Sequence, residues 1–190
     1  MSGIIQLLSS LSPHAYLSRG AQFVLLFMGF SSTLGAAVAT PDAEMEQLAR
    51  DYAYAVTLLE KRDVTTAQPV LKCLAQRGHA RAQALLSSTL ASSGDLVSAW
   101  AWRSLASYAD PEAAQRFLDS LSIAMTADQR AAAAELANRL RSKFGPEATG
   151  LSCNSNRNPN GSVDWICART NGLPPLNGCI PDSARVGSIG

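Results

Sequence analysis

Few side chains in this chain are suited to chemistry. Its two histidines, His14 and His79, lie far apart, and neither joins a spaced pair of metal ligands. Four cysteines, Cys73, Cys153, Cys167 and Cys179, show no C-x-x-C spacing, which argues against zinc. An even count in an exported chain points instead to disulfides. Ser152, Ser162 and Asp164 are the reactive groups of the C-terminal region, and no histidine stands near them in sequence to activate a hydroxyl. Asp164 lies beside an Asn-rich loop without the ligand spacing calcium needs. A Gly-rich phosphate loop, a nucleophile elbow and a paired-carboxylate constellation are all missing from the sequence. The expectation is a protein that is not an enzyme, holds no metal or cofactor, and works by binding.

His79 directly follows Gly78 at the mouth of a helix, and the helical-repeat family that Asp63 to Leu86 resembles, which commonly has Asp or His near the cap there, implies a structural place for it and not a catalytic one. Trp100 and Trp102 are two residues apart, about 200° round a helix, so both rings cannot face one core. The helical-repeat family that this stretch resembles implies that Trp102 is the core residue. Trp100 then reads either as an exposed binding anchor or as a ring covered by the C-terminal region. Trp165 reads as a packing plug against the helices.

The rest of the composition frames these residues. The chain has 190 residues, 16 Lys+Arg against 15 Asp+Glu, and 47% hydrophobic residues. That length fits one domain with an appendage. A net charge of +1 lacks the cationic surplus that nucleic acid requires.

Residues 1–39 contain no acid and one fixed cation, Arg19. An apolar run, AQFVLLFMGF, spans Ala21 to Phe30, and Ala37-Val38-Ala39 follows. This pattern predicts a signal peptide cleaved before Thr40. The rival is an uncleaved anchor over the 19 residues from Ala21 to Ala39, the only case in which the protein would touch a membrane. Cleavage leaves 15 positive and 15 negative side chains. The expected compartment is the periplasm or the exterior.

From residue 40 to 145 the punctuation is helical. Leu48, Tyr52, Ala55, Leu58 and Leu59 recur at helical spacing over about Glu44 to Lys61. Asp63 caps a second helix that ends at Gly78; Pro69 within it costs little if the first turn is irregular and kinks the helix otherwise. A third helix runs from His79 to Ala91 and a fourth, after Ser93-Gly94-Asp95, to Tyr108. Asp110-Pro111 starts a fifth helix, and Thr126 to Gln129 is a capping box for a sixth that ends at Gly145-Pro146. At an offset of 32, Asp63 matches Asp95, Ala67 matches Ala99, Ala82-Gln83 matches Ala114-Gln115, and Leu86 matches Leu118. The predicted fold is all-α, a short solenoid of antiparallel helix pairs.

Asp63 to Leu86 (DVTTAQPVLKCLAQRGHARAQALL) resembles the junction between two Sel-one-like repeats, relatives of the tetratricopeptide repeat. Ala99-Trp100-Ala101-Trp102, Ala106, Asp110 and Ala114-Gln115 resemble the same frame. TADQRAAAAELANRL resembles the capping helix that closes bacterial members. The usual G-x-G-V turn inside a pair is replaced by Ser92-Ser93-Gly94. The resemblance covers about half the chain and implies a scaffold that binds other proteins through its concave face.

Residues 146–190 form a tail rich in Gly, Pro and Asn. Asn158-Pro159-Asn160-Gly161 predicts a turn, and Val163 to Ala168 a short strand. Asn160-Gly161-Ser162 is formally a glycosylation acceptor and reads here as that turn. Such a segment cannot build its own core and needs disulfides or docking. Four cysteines allow three full pairings. Cys153–Cys167 with Cys73–Cys179 is favoured, and Cys167–Cys179 is the competitor.

The predicted function is a non-catalytic exported scaffold or adaptor for a protein or peptide partner. The alternatives are a structural subunit of an envelope machine and a cell-wall enzyme with its site in the tail. Tyr52, Arg81 and Trp100 are the expected partner-binding anchors, with Arg77 and Arg116 also free to reach solvent. Mass spectrometry of protein recovered from its native compartment should find Thr40 as the first residue; intact residues 1–39 would make the protein a membrane-anchored scaffold instead.

Overall fold

A computed structural model describes residues 41–170 and 178–180, all within one unit, Ala37–Gly190. The predicted signal peptide and its cleavage site lie outside the described residues. Six long helices follow one another: α1 Pro41–Glu60, α2 Val64–Gln76, α3 Ala80–Ser92, α4 Leu96–Ala106, α5 Pro111–Ala124 and α6 Ala127–Phe144. A single turn, α7 Pro146–Thr149, leads into a hairpin of β1 Leu151–Arg157 and β2 Val163–Arg169.

Side-chain caps set the helix starts. Asp63 accepts the amide of Thr66, Asp95 that of Ser98, and Asp110 that of Ala113. Thr126 and Gln129 exchange both bonds of a capping box. Asp63 and Asp95, paired by the 32-residue offset, therefore do the same job. Ala67 and Ala99, also paired, are both fully buried. Leu86 is buried and Leu118 only partly so. Gln83 is buried, and its amide donates to the carbonyls of Ala75 and Phe144. Its counterpart Gln115 is exposed and bonds Asp119 within its own helix. Pro69 sits on the exposed side of α2, and the helix runs through it.

Neighbouring helices pack in chain order, α1 on α2, α2 on α3 and α3 on α4; α4 also meets α5 and α6. Leu48, Leu71, Leu74, Leu86 and Leu105 fill the centre, with alanines at the crossings. Trp102 is buried and stacks on Phe144 at 5.9 Å.

An all-α description is incorrect for the tail. β1 and β2 pair antiparallel, with Cys153 opposite Cys167. The β1 sequence LSCNSNR hides its strand, because only Leu151 and Cys153 turn inward and the intervening residues are polar. The favoured disulfide pairing is present, with Cys153 bonded to Cys167 and Cys73 to Cys179. Two bridges in one chain fit an oxidising compartment. Among the described residues, no helix is long and apolar enough to cross a membrane.

Gly78 and Gly94 end α2 and α3 with φ of +85° and +88°. A Cβ at Gly94 meets nothing within 4 Å, whereas one at Gly78 would lie 2.2 Å from Thr149 Oγ1. Gly94→Ala should therefore lower stability by about 1–2 kcal/mol, the left-handed cost alone. Gly78→Ala should cost clearly more, because Thr149 at the base of the hairpin must move. Chemical denaturation of the two variants under identical conditions checks the order.

Candidate functional site

Helix α1 buries Glu44, Leu48, Asp51 and Ala55 along one face. Two of those four are acids, and the tail answers both. Glu44 forms an ion pair with Arg169 of β2, the two side chains being 4% and 8% exposed. Asp51 accepts the backbone N–H of Cys179 and the side-chain amide of Gln47. Arg77, near Asp51, donates to the Gly178 carbonyl at 3.5 Å. With the Cys73–Cys179 bridge, these contacts hold the tail against the first two helices. The hairpin is tied further along: Ser155 N–H donates to the Ala109 carbonyl at 3.0 Å.

Between α1, the start of α3 and β2 lies a groove of about 540 Å³. Met45, Tyr52 and Val56 come from α1, His79 and Arg81 from the mouth of α3, and Trp165 from β2. The Tyr52 ring stacks on His79, centroids 5.2 Å apart, and the Arg81 guanidinium carbon lies 4.9 Å from the Tyr52 centroid. Burial raises the Tyr52 phenol pKa although Arg81 opposes this, so the phenol stays protonated.

His79 is the N-cap of α3, and its Nδ1 accepts the Ala82 amide at 3.2 Å. Burial, with the Arg81 charge beside it, lowers its pKa to about 4. The ring is therefore neutral at physiological pH, and with Nδ1 used as an acceptor its proton is on Nε2. Arg81 is exposed, and no carboxylate among the described residues pairs with it. The groove thus offers aromatic and apolar walls, one cation and one neutral N–H donor.

Tyr52 and Arg81, expected as binding anchors, come together here. Trp100 does not join them. Its indole N–H donates to Ser122 Oγ at 3.2 Å and its ring is half-buried. Trp102 occupies the core, so Trp100, round the helix, is turned onto α5. Arg77 is also half-buried at the tail, and Arg116 is exposed but paired with Glu112. His79 and Trp165 belong to the groove, which sequence reasoning missed; the cap position of His79 was legible, its stacking on Tyr52 was not. Trp165 packs against the core and also walls the groove.

Two reactive groups of the tail, Asp164 and Ser162, are engaged in the hairpin turn. Asp164 accepts Asn158 Nδ2 at 2.9 Å, and Ser162 donates to Asn160 within the turn. Among the described residues, no group of three metal-binding side chains assembles. The chain matches no protein-family model, no curated protein and no solved structure.

The neutral, buried state of His79 makes stability depend on pH. Its pKa is about 4 in the folded protein and about 6.5 when unfolded, so between those values the unfolded chain binds more protons. Stability is therefore retained above pH 6.5 and falls as pH drops toward 4, by about 3 kcal/mol from this group. His79→Asn keeps a capping side chain and should remove that part of the loss. Denaturation midpoints of both proteins across this range measure the difference.

Proposed function

We propose that the protein is a non-catalytic, exported scaffold that binds a protein or peptide partner in the bacterial envelope. The observation that carries this reading is the groove, where Tyr52 and Arg81 meet in one aromatic, cationic recess. Partner recognition concentrates in such anchors, Tyr, Trp and Arg above all. Two disulfides favour the periplasm or the exterior over a reducing compartment. The Sel-one-like resemblance supports a binding role, and chain-order helix packing with equivalent caps at Asp63 and Asp95 supports a short solenoid of repeated pairs.

The test is affinity capture from the envelope fraction with the intact protein and three variants. Tyr52→Ala and Arg81→Ala should each weaken capture of the same stoichiometric partner by about 2 kcal/mol, with little change in melting for Arg81→Ala and a lower melting point for Tyr52→Ala, whose ring packs on His79. Trp100→Phe should leave affinity intact. Turnover of a cell-wall fragment without any partner would overturn the scaffold reading. Sensitivity to Trp100 alone would move the binding surface to the α4–α5 face.

A further inference from the structure

The groove has a chemical asymmetry that narrows what it accepts. His79 is 7% exposed, its Nδ1 is committed to the Ala82 amide, and among the described residues no other side chain accepts its Nε2–H. Arg81, two residues on, brings to the same Tyr52 side chain a guanidinium that hydrogen-bonds the phenol and that no carboxylate among the described residues neutralises. The first turn of α3 adds its own partial positive charge. Glu44 and Asp51, the acids buried on α1, are spent on the tail. The recess therefore has donors and a positive field but no acceptor of comparable strength.

We propose, resting on the reading of the groove as a partner site, that it binds an extended peptide segment through an internal acidic side chain. The carboxylate takes hydrogen bonds from Arg81 and His79 Nε2–H, and apolar neighbours in the peptide cover Met45, Val56 and Trp165.

Charge selects the carboxylate. One guanidinium matches one negative charge, whereas a phosphate monoester carries about −1.5 to −2 and would remain undercompensated. Shape selects an internal residue. Along α1, Met45 and Val56 stand on either side of Tyr52, and Met45 to Thr57 spans about 18 Å. That length takes about five extended residues, with the donors at its middle and not at an end. A chain terminus would leave half of the apolar wall uncovered.

The experiment immobilises the full chain with its disulfides intact. It is exposed to a pool of N-acetylated, C-amidated hexapeptides with glutamate fixed at the third position and Leu, Ile, Met, Phe or Trp elsewhere. A second pool carries glutamine at that position, and a third has no acid but a free C-terminal carboxylate. Mass spectrometry identifies the retained peptides, and calorimetry measures individual affinities. Retention of the glutamate pool is expected, at least tenfold tighter than its glutamine counterparts. Arg81→Gln and His79→Asn should each weaken that binding at least fivefold while the proteins stay folded by circular dichroism.

Equal retention of the glutamate and glutamine pools overturns the carboxylate assignment, as does failure of all three pools. Preference for the free-terminus pool overturns the internal-segment assignment. Partner capture that still depends on Tyr52 in those cases leaves the scaffold reading standing; capture insensitive to Tyr52 and Arg81 removes both.

Discussion

The ion pair between Glu44 and Arg169 joins the first described helix to the last described strand. Both side chains are removed from water, and a carboxylate so placed is tolerated only with its cation in contact. The tail is therefore not an optional appendage to the helices. Without it, the inner face of α1 would carry two acids among apolar residues. Asp51 repeats the logic one turn-pair further on, with a backbone N–H as its partner. The groove exists because these contacts bring β2, and Trp165 on it, alongside Tyr52.

Around that constraint the molecule is economical in charge. Among the described residues the exposed ion pairs run within single helices, as in Arg50 with Glu46 and Arg139 with Glu135, and such pairs add little stability. Arg81 differs because an aromatic ring, and not an acid, occupies the space beneath it. The two nitrogens of the His79 ring differ in use: Nδ1 finishes a helix, and Nε2 meets no accepting side chain among the described residues. A cap of Ser or Asp would satisfy the helix equally well but would neither stack on Tyr52 nor offer a donor.

Local chemistry was legible in the sequence and distant contacts were not. Asp63, Asp95, Asp110 and Thr126 each mark a helix start because capping depends on only three or four consecutive residues. Gly78 marks an end for the same reason. The first strand was missed because its alternation involves only Leu151 and Cys153. Glu44 and Asp51 carried a readable signal: seven residues apart, they share a face with Leu48 and Ala55, and acids on an apolar face demand partners. Naming Arg169 and the Cys179 amide as those partners required the fold. Trp100 went astray because a ring excluded from one core can be taken up by another helix as readily as by solvent. Tyr52, His79 and Trp165 come from three separate elements, and no spacing rule connects them.

The Cys73–Cys179 bridge closes a span of 106 residues. A loop of that size gains about 4.7 kcal/mol in a chain-entropy account, against about 3 for the short bridge across the hairpin. It also imposes an order of events. Cys73 lies in the second helix, and its partner follows 106 residues later. The helices can form early, but the bridge between them and the tail must wait until the tail has been made. Closure of the bridge thus reports two things at once: that the tail has been made, and that the protein has reached a place where thiols are oxidised. A chain retained among reduced thiols would have its helices without either covalent fastening of the tail, and its recess would lack a secured third wall.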